Sequence, residues 1–380
     1  MCSNTETGPP GRLRAGITFN LKKNIPSELP KHSAETEGSP PEHSAETEGR
    51  GSPPDAEAEF DDEETIRAIQ NALMAAGLAV ELFEATEELP VRLLRERPDI
   101  VFNIAEGMTG RGREAQVPAI LNFLRIPFTG SDETTMCIAM DKALTKRLVT
   151  SYGVNTPDYE VVKYGAALPE TALSFPVIVK PNSEGSSKGI TDLSIVKDAA
   201  ALRRILPEKF SAYKQDMLLE EYIGGREFSV GILGSGDELS TGAQGEVSGD
   251  LRVFPPMEII FTDKDHSIYS YEVKKNFRRY VRYECPPDID AALRREIEET
   301  AEKIYRSLEC RDFARVDFRL SSDSKLYFIE INPLPGLAPE YSDFPMIARF
   351  CGMDYQTLIW NILDSALARY GMRSSGKVRI

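Results

Sequence analysis

The 380 residues suffice for two or three packed lobes, and an apolar content of 41% is ordinary for a globular chain. No apolar run approaches the ~20 residues that span a bilayer, and the start, Met1-Cys2-Ser3-Asn4-Thr5-Glu6, lacks the basic-then-apolar order of a secretion signal, so a cytoplasmic protein is expected. The net charge of −15 is concentrated in residues 33–64, which hold twelve acids and one base, so the remainder is near neutral and carries no basic footprint for nucleic acid.

Leu13 to Phe19 reads as a first strand. A Pro-, Ser-, Glu- and Gly-rich tract follows from Asn24 to Glu59, with HSAETEG at 32–38 and again at 43–49. So little apolar content cannot offset the entropy of ordering, and the tract is expected to be disordered. The acids Asp61 to Glu64 suit a helix start, and Ile66, Ile69, Leu73 and Met74 continue at helical spacing to about Gly77. Leu78–Phe83 is predicted as a strand, Leu89–Arg97 as a helix stopped by Pro98, and Asp99–Ile104 as a buried strand. This alternation predicts a parallel α/β lobe over residues 1–130. A second lobe, 131–230, is predicted to hold a helix from Met136 to Tyr152 and strands at Val177–Lys180, Leu218–Glu221 and Glu227–Leu233. A third, 231–380, pairs strands Arg315–Leu320 and Leu326–Ile331 and closes on a helix from Tyr355 to Tyr370.

Cys2, Cys137, Cys285, Cys310 and Cys351 are scattered, without a Cys-x-x-Cys pair, and His32, His43 and His266 are the three histidines. This argues against a disulfide framework, a zinc site or a His-based triad. Four other segments carry chemistry together. Met140 to Lys146 places basic residues on a helix. The strand Val177–Lys180 ends in a lysine and runs into Asn182-Ser183-Glu184-Gly185-Ser186-Ser187-Lys188-Gly189, where glycine amides, serine hydroxyls and a point charge suit phosphate oxygens. The acids Glu220 and Glu221 end a strand and can accept from an adenine amino group or ribose hydroxyls. Arg315 and Asp317 share one strand face by the period of two, and Glu330 and Asn332 share a face of the next. Three oxygen donors converging from paired strands suit a hard cation such as Mg²⁺, and Arg315 suits anionic oxygens. Alone, each pattern is commonplace surface alternation; their order and spacing are not.

From about Ile100 to Pro345 the chain resembles the D-alanine–D-alanine ligase family of ATP-grasp enzymes. Leu124 to Ser131 followed by Met140-Asp141-Lys142 is similar to that family's "lgiPYtGS…MDK". Val179-Lys180-Pro181 with Gly185 to Gly189 matches "VKP…GSSxG", Gly225-Arg226-Glu227 matches "GRE", and Glu330-Ile331-Asn332 with Pro335-Gly336 matches "EiNtxPG". The resemblance implies a three-lobed α/β ATP-grasp fold with ATP between the central and C-terminal lobes. It implies ligation of two amino acids through an acyl phosphate, with ATP and Mg²⁺ (two ions, or Mn²⁺ in their place) as cofactors. The partners implied are small amino acids, with no nucleic acid and no membrane, and a homodimer is an open expectation. By the same resemblance Lys142, Lys180 and Ser187 contact ATP phosphates, and Glu220, Glu221, Ile223 and Glu227 hold adenine and ribose. Asp317, Glu330 and Asn332 hold the metal. Arg315, the Gly336 amide, Ser186 and Lys274 serve the reacting centre.

The chain also departs from the family pattern. No Gly-Gly-x-Ser-x-Glu motif, whose Glu is associated with the first amino acid's ammonium, follows the first strand. The family's His-Gly after the DIVF-type strand is Glu106-Gly107 here, and its Lys-Tyr pair is Lys274-Lys275. Leu337 to Asp343, including Tyr341 and Ser342 as expected substrate contacts, lacks a clean match to the second-substrate loop. Glu106 is therefore the first choice for the substrate's ammonium, ahead of Glu184 and Glu114, with the acidic segment after strand one next in line. Ligases forming another dipeptide or amide share the same ATP half. Two readings lie outside this class: a dinucleotide-binding oxidoreductase, from the G-x-G-x-x-A match at Gly110 to Ala115, and a nucleotide-binding protein without catalysis.

Overall fold

The computed structural model describes residues 12–22, 59–166, 170–185, 188, 194–235, 251–262, 273 and 277–372. Its first sheet is parallel, with β1 (Arg14–Phe19) between β2 (Ala79–Glu84) and β3 (Ile100–Asn103). A central parallel strand is covered on both faces, which is why the run Ala15–Phe19 is wholly buried. Helices α1 (Glu63–Ala75) and α2 (Leu89–Glu96) make the crossovers that parallel neighbours require. Asp62 caps α1, accepting from the Thr65 amide at 2.8 Å, and Glu63 and Glu64 lie at the positive end of the helix dipole. Ile66, Ile69 and Leu73 are buried, but Met74, expected on the same stripe, is 48% exposed: one residue past Leu73 is a turn of about 100° away from the core.

Leu21 pairs with Asp61, and the Lys22 amide donates to the Asp61 carbonyl at 2.8 Å. The acidic tract thus leaves and re-enters the fold at one place. The tract itself, expected to be disordered, lies outside the described residues except for Glu59.

The helix expected over Met136–Tyr152 is two helices, α4 (Glu133–Met140) and α5 (Lys142–Ser151), after α3 (Gln116–Leu124). Asp141 between them is extended, with ψ 99°, and its side chain accepts from the Leu144 amide at 2.9 Å. A carboxylate that caps a new helix gains more than one held mid-helix, so the chain breaks there. The break places Lys142 and Lys146 one turn apart on one face.

Two further sheets follow. One is antiparallel in the order β4 (Tyr159–Val162), β7 (Met217–Glu221), β5 (Val177–Pro181), β6 (Ile195–Val196). Helix α6 (Ala199–Tyr213) packs Leu202, Ile205 and Leu206 against Val177, Val179 and Leu219 of this sheet. The other has the order β11 (Val281–Glu284), β10 (Met257–Phe261), β8 (Arg226–Leu233), β12 (Phe313–Leu320), β13 (Leu326–Asn332), with β9 (Arg252–Val253) on β8. A one-turn helix, α7 (Phe277–Tyr280), leads into β11, and α8 (Ala291–Ser307) covers one face with Ile297, Ala301, Ile304 and Tyr305. On the other side α9 (Asp343–Phe350) and α10 (Tyr355–Arg369) share a core with α1 and β1, in which Phe344 and Ile362 meet Ile17 and Ile69. Gly225, before β8, has φ +120°, and a Cβ there would lie 2.1 Å from the Leu320 carbonyl oxygen, so glycine alone fits the tight approach to β12.

Candidate active site

Strands β12 and β13 bring four of the sequence-predicted residues into direct register: Arg315 opposite Asn332, and Asp317 opposite Glu330. The register shifts just after Asp317, and Phe318 pairs with Phe328, leaving Ile329 as the extra residue of a bulge. On the flanking strand, Ser229 stands opposite Asp317 and donates to its Oδ1 at 2.6 Å. Arg315 grips Asp317 with two prongs, Nε to Oδ1 at 2.9 Å and Nη2 to Oδ2 at 2.8 Å, and Nη1 lies 3.6 Å from Asp343. Burial opposes the Arg315 charge, but Asp317 and Asp343 outweigh it and raise its pKa. Asn332 Oδ1 accepts from the Leu334 amide at 3.1 Å.

The lysines converge on this face from two other elements. Lys142 Nζ lies 3.2 Å from Glu330 Oε2. Asn182, in the loop after β5, fastens the start of α5 by accepting from the Lys142 and Ala143 amides at 3.0 Å each. Lys180 at the end of β5 and Lys146 on α5 flank Glu220 at the end of β7, at 2.9 and 2.7 Å. Lys146 also donates to Thr156 Oγ1 at 2.8 Å and to the bulge carbonyl of Ile329 at 3.1 Å. Burial would raise the Glu220 pKa, but Lys146 and Lys180 hold it below the usual carboxylate range; burial lowers Lys146 to about 8. Two buried cations against one anion leave a positive excess, which suits an anionic ligand.

An acid-rich pocket lies beyond Glu184. Gly107 follows β3 with φ +76°, and a Cβ there would sit 2.0 Å from the Arg113 carbonyl oxygen, so a glycine is needed for the chain to fold back so tightly. The result is that the carboxylates of Glu59, Glu106 and Glu114 lie within 4.8 Å of one another. Arg113 Nη2 and Lys188 Nζ each bind Glu59 Oε2 at 2.6 Å, and the Gly185 amide donates to Glu59 Oε1 at 2.7 Å. The same two cations lie 3.3 and 3.4 Å from Glu184. Although burial works against its charge, Glu59 is kept below its usual range by Arg113 and Lys188. Burial, then Glu114 and Glu59, push Glu106 well above the ordinary range; burial and Glu59 raise Glu114 to about 7.

The remaining predicted residues are placed as follows. Glu220 is 2% exposed with both oxygens held by lysines, so it does not face an open site as the sequence reading expected. Glu221 accepts from the Ser174 amide at 2.8 Å, Glu227 pairs with Arg319 at 3.1 Å, and Ile223 is half-buried in the turn between β7 and β8. Gly336 is exposed and lies beside Ser342, whose Oγ accepts from the Ala338 amide at 3.1 Å. Tyr341 is 48% exposed beside Asp61, Asp62 and Thr65. Ser186, Ser187 and Lys274 lie outside the described residues. The Gly110–Ala115 segment does not open a helix directly after a strand, as dinucleotide binding requires; it is a turn and a 3₁₀ segment, Arg113–Ala115, that faces Arg113 toward Glu59.

Sequence reasoning quoted Lys146 and Lys188 within segments that carry chemistry but gave them no role of their own, and it gave none to Asp343, Arg113 or Glu59. Lys146 had a signal, one helical turn after Lys142 on a helix already singled out. Glu59 had none, as one acid among twelve in a biased tract.

Residues 148–364 match the family described as D-ala D-ala ligase C-terminus. The chain is similar to the D-alanine–D-alanine ligase of Aquifex aeolicus, 35% identical over 298 residues that cover 78% of this chain and 92% of that one. It is similar also to the D-alanine–D-alanine ligase of Bordetella petrii, 30% identical over 80% of this chain and 86% of that one. Among solved structures, the D-alanine–D-alanine ligase of Bacillus anthracis complexed with ATP has the same fold, with TM-score 0.64 at 22% identity, over 94% of this chain and 99% of that one.

Proposed function

The chain belongs to the D-alanine–D-alanine ligase family, and on that premise we propose that it is an ATP- and Mg²⁺-dependent ligase joining the carboxylate of one amino acid to the amine of another. The observation that carries this reading is the direct pairing of Asp317 with Glu330 and of Arg315 with Asn332, with Lys142 against Glu330. The donor set fits a hard divalent ion: Asp317, Glu330 and Asn332 offer oxygens from adjoining strands, and the two carboxylates are at present balanced by Arg315 and Lys142. When bound, the ion would supply charge neutralisation at the phosphates.

The protein's own groups then have distinct tasks. Lys142 and Lys180 bind phosphate oxygens, and Lys146 and Glu220 position Lys180. Glu221, Ile223 and Glu227, the last paired with Arg319, are assigned to adenine and ribose. The first carboxylate attacks the γ-phosphoryl, giving an acyl phosphate and ADP; the second amine attacks the acyl carbon and releases phosphate. Arg315 and the Gly336 amide stabilise the oxyanion, and Ser186 and Lys274 are assigned to the same reaction by resemblance. Glu106 accepts the first amino acid's ammonium, and Ser342 and Tyr341 belong to the second-substrate loop. We assign the lobes to 1–130, 131–230 and 231–380, with β8 crossing the second boundary.

Release of ADP is the test, screened over D- and L-amino acids singly and in pairs with Mg²⁺. Turnover that needs an amino acid and yields a dipeptide supports the proposal. ATP binding without amino-acid-dependent ADP release over the whole set refutes it.

A further inference from the structure

The acid pocket carries more negative charge than one alanine zwitterion can use. Glu59, Glu106, Glu114 and Glu184 bring four carboxylates, with Asp61 also acting on Glu106, whereas Arg113 and Lys188 bring two cations and Lys142, paired with Glu330, acts on Glu114 from further off. Both cations are committed to Glu59 and Glu184, at 2.6 to 3.4 Å, and Arg113 stands off from Glu114 at 3.7 Å. Glu106 is nine-tenths buried and, among the described residues, has no hydrogen-bond or ion-pair partner. Its carboxylate is aimed at Glu114 and Glu59, within 4.8 Å. An unpartnered buried carboxylate beside a half-partnered one is costly unless a ligand brings positive charge. A cavity of about 600 Å³ reaches the cluster on the side of Arg113, Glu184 and Lys188, while Glu106 and Glu114 lie behind its lining.

We propose that the first substrate is a diamino acid, whose α-ammonium and side-chain ammonium are both received by Glu106 and Glu114. This rests on the ligase reading and names the substrate class for it. One ammonium offsets Glu106 and the second offsets Glu114, so that both carboxylates can be ionised. An alanine supplies one of the two charges and leaves the other carboxyl to keep a proton. A divalent ion is the weaker fit, because Arg113 and Lys188 already crowd the third carboxylate, Glu59, at 2.6 Å.

The experiment measures ADP release with Mg²⁺ for the D- and L-forms of 2,3-diaminopropionate, 2,4-diaminobutyrate, ornithine and lysine, against alanine, norvaline and norleucine. The expected result is a kcat/KM for at least one diamino acid about tenfold or more above its neutral isostere. In Glu106→Gln and in Glu114→Gln that ratio should fall toward one, through KM rather than kcat, with KM for ATP unchanged. Isothermal titration of the ADP-bound protein with the preferred diamino acid gives a readout that does not depend on turnover, and its affinity should drop in both variants. Equal use of alanine and the diamino acids overturns the inference while leaving the ligase reading intact. So does a preference that survives both substitutions, or stoichiometric Mn²⁺ uptake without nucleotide that Glu106→Gln abolishes. Absence of ADP release with every amino acid, with ATP still bound, is the failure of the ligase reading instead.

Discussion

Replacing Glu114 by Gln keeps the shape of the side chain and removes its charge, which makes the pocket's electrostatics measurable as stability. In the folded protein burial and Glu59 raise the Glu114 carboxyl from its ordinary 4.5 to about 7. A raised acid favours the folded state while it is protonated in both states. That contribution is complete below about 4.5 and is lost as pH rises through about 7, because the unfolded chain gives up its proton first. Each tenfold difference in proton affinity between the folded and unfolded chain corresponds to about 1.4 kcal/mol, so between pH 5 and pH 8 the wild type should lose roughly 2 to 3 kcal/mol that Glu114→Gln does not lose. The assay is urea unfolding of both proteins at half-unit steps of pH, without nucleotide. The two curves should lie closest at pH 5 and diverge upward for the variant toward pH 8. Parallel curves across that range would show that Glu114 ionises normally, and the uncompensated charge assigned to the pocket would fall with it.

Glu330→Gln should fold with an unchanged melting temperature but lose at least about a hundredfold in ADP release, because one carboxylate of the metal set and the partner of Lys142 is gone; near-wild-type turnover contradicts the assignment. Gly225→Ala puts a Cβ 2.1 Å from the Leu320 carbonyl at a φ of +120°, and unfolding should show a loss of about 2 kcal/mol or more, whereas a neutral result would mean that the turn before β8 yields easily. Deleting residues 30–55 joins chain ends that already lie side by side at Leu21 and Asp61, so ATP affinity measured by titration should be unchanged; a large loss would give the tract a part in nucleotide binding.

Much of the fold and the phosphate end of the site could be read in the sequence because both rest on local rules. Asp62 caps its helix through a side chain that reaches three residues ahead, and such a signal survives without any tertiary context. The period of two places Arg315 with Asp317, and Glu330 with Asn332, on strands that the sequence already pairs. The same local logic failed at Asp141, where a helical pattern ran through a residue that caps a second helix, and at Met74, where spacing alone put an exposed residue in the core.

By itself the sequence determined that a lysine would end β5 and that oxygen donors would line neighbouring strands, since strand period and end chemistry are properties of a few consecutive residues. The tertiary structure decided which charges would be compensated. Lys146 and Lys180 come from different elements to share Glu220, and Glu59 crosses from the end of the acidic tract to take both Arg113 and Lys188. That leaves Glu106 and Glu114 without enough positive charge. The strength of an ion pair depends on separation and on how much water remains, and both are set only when distant segments converge in a buried place.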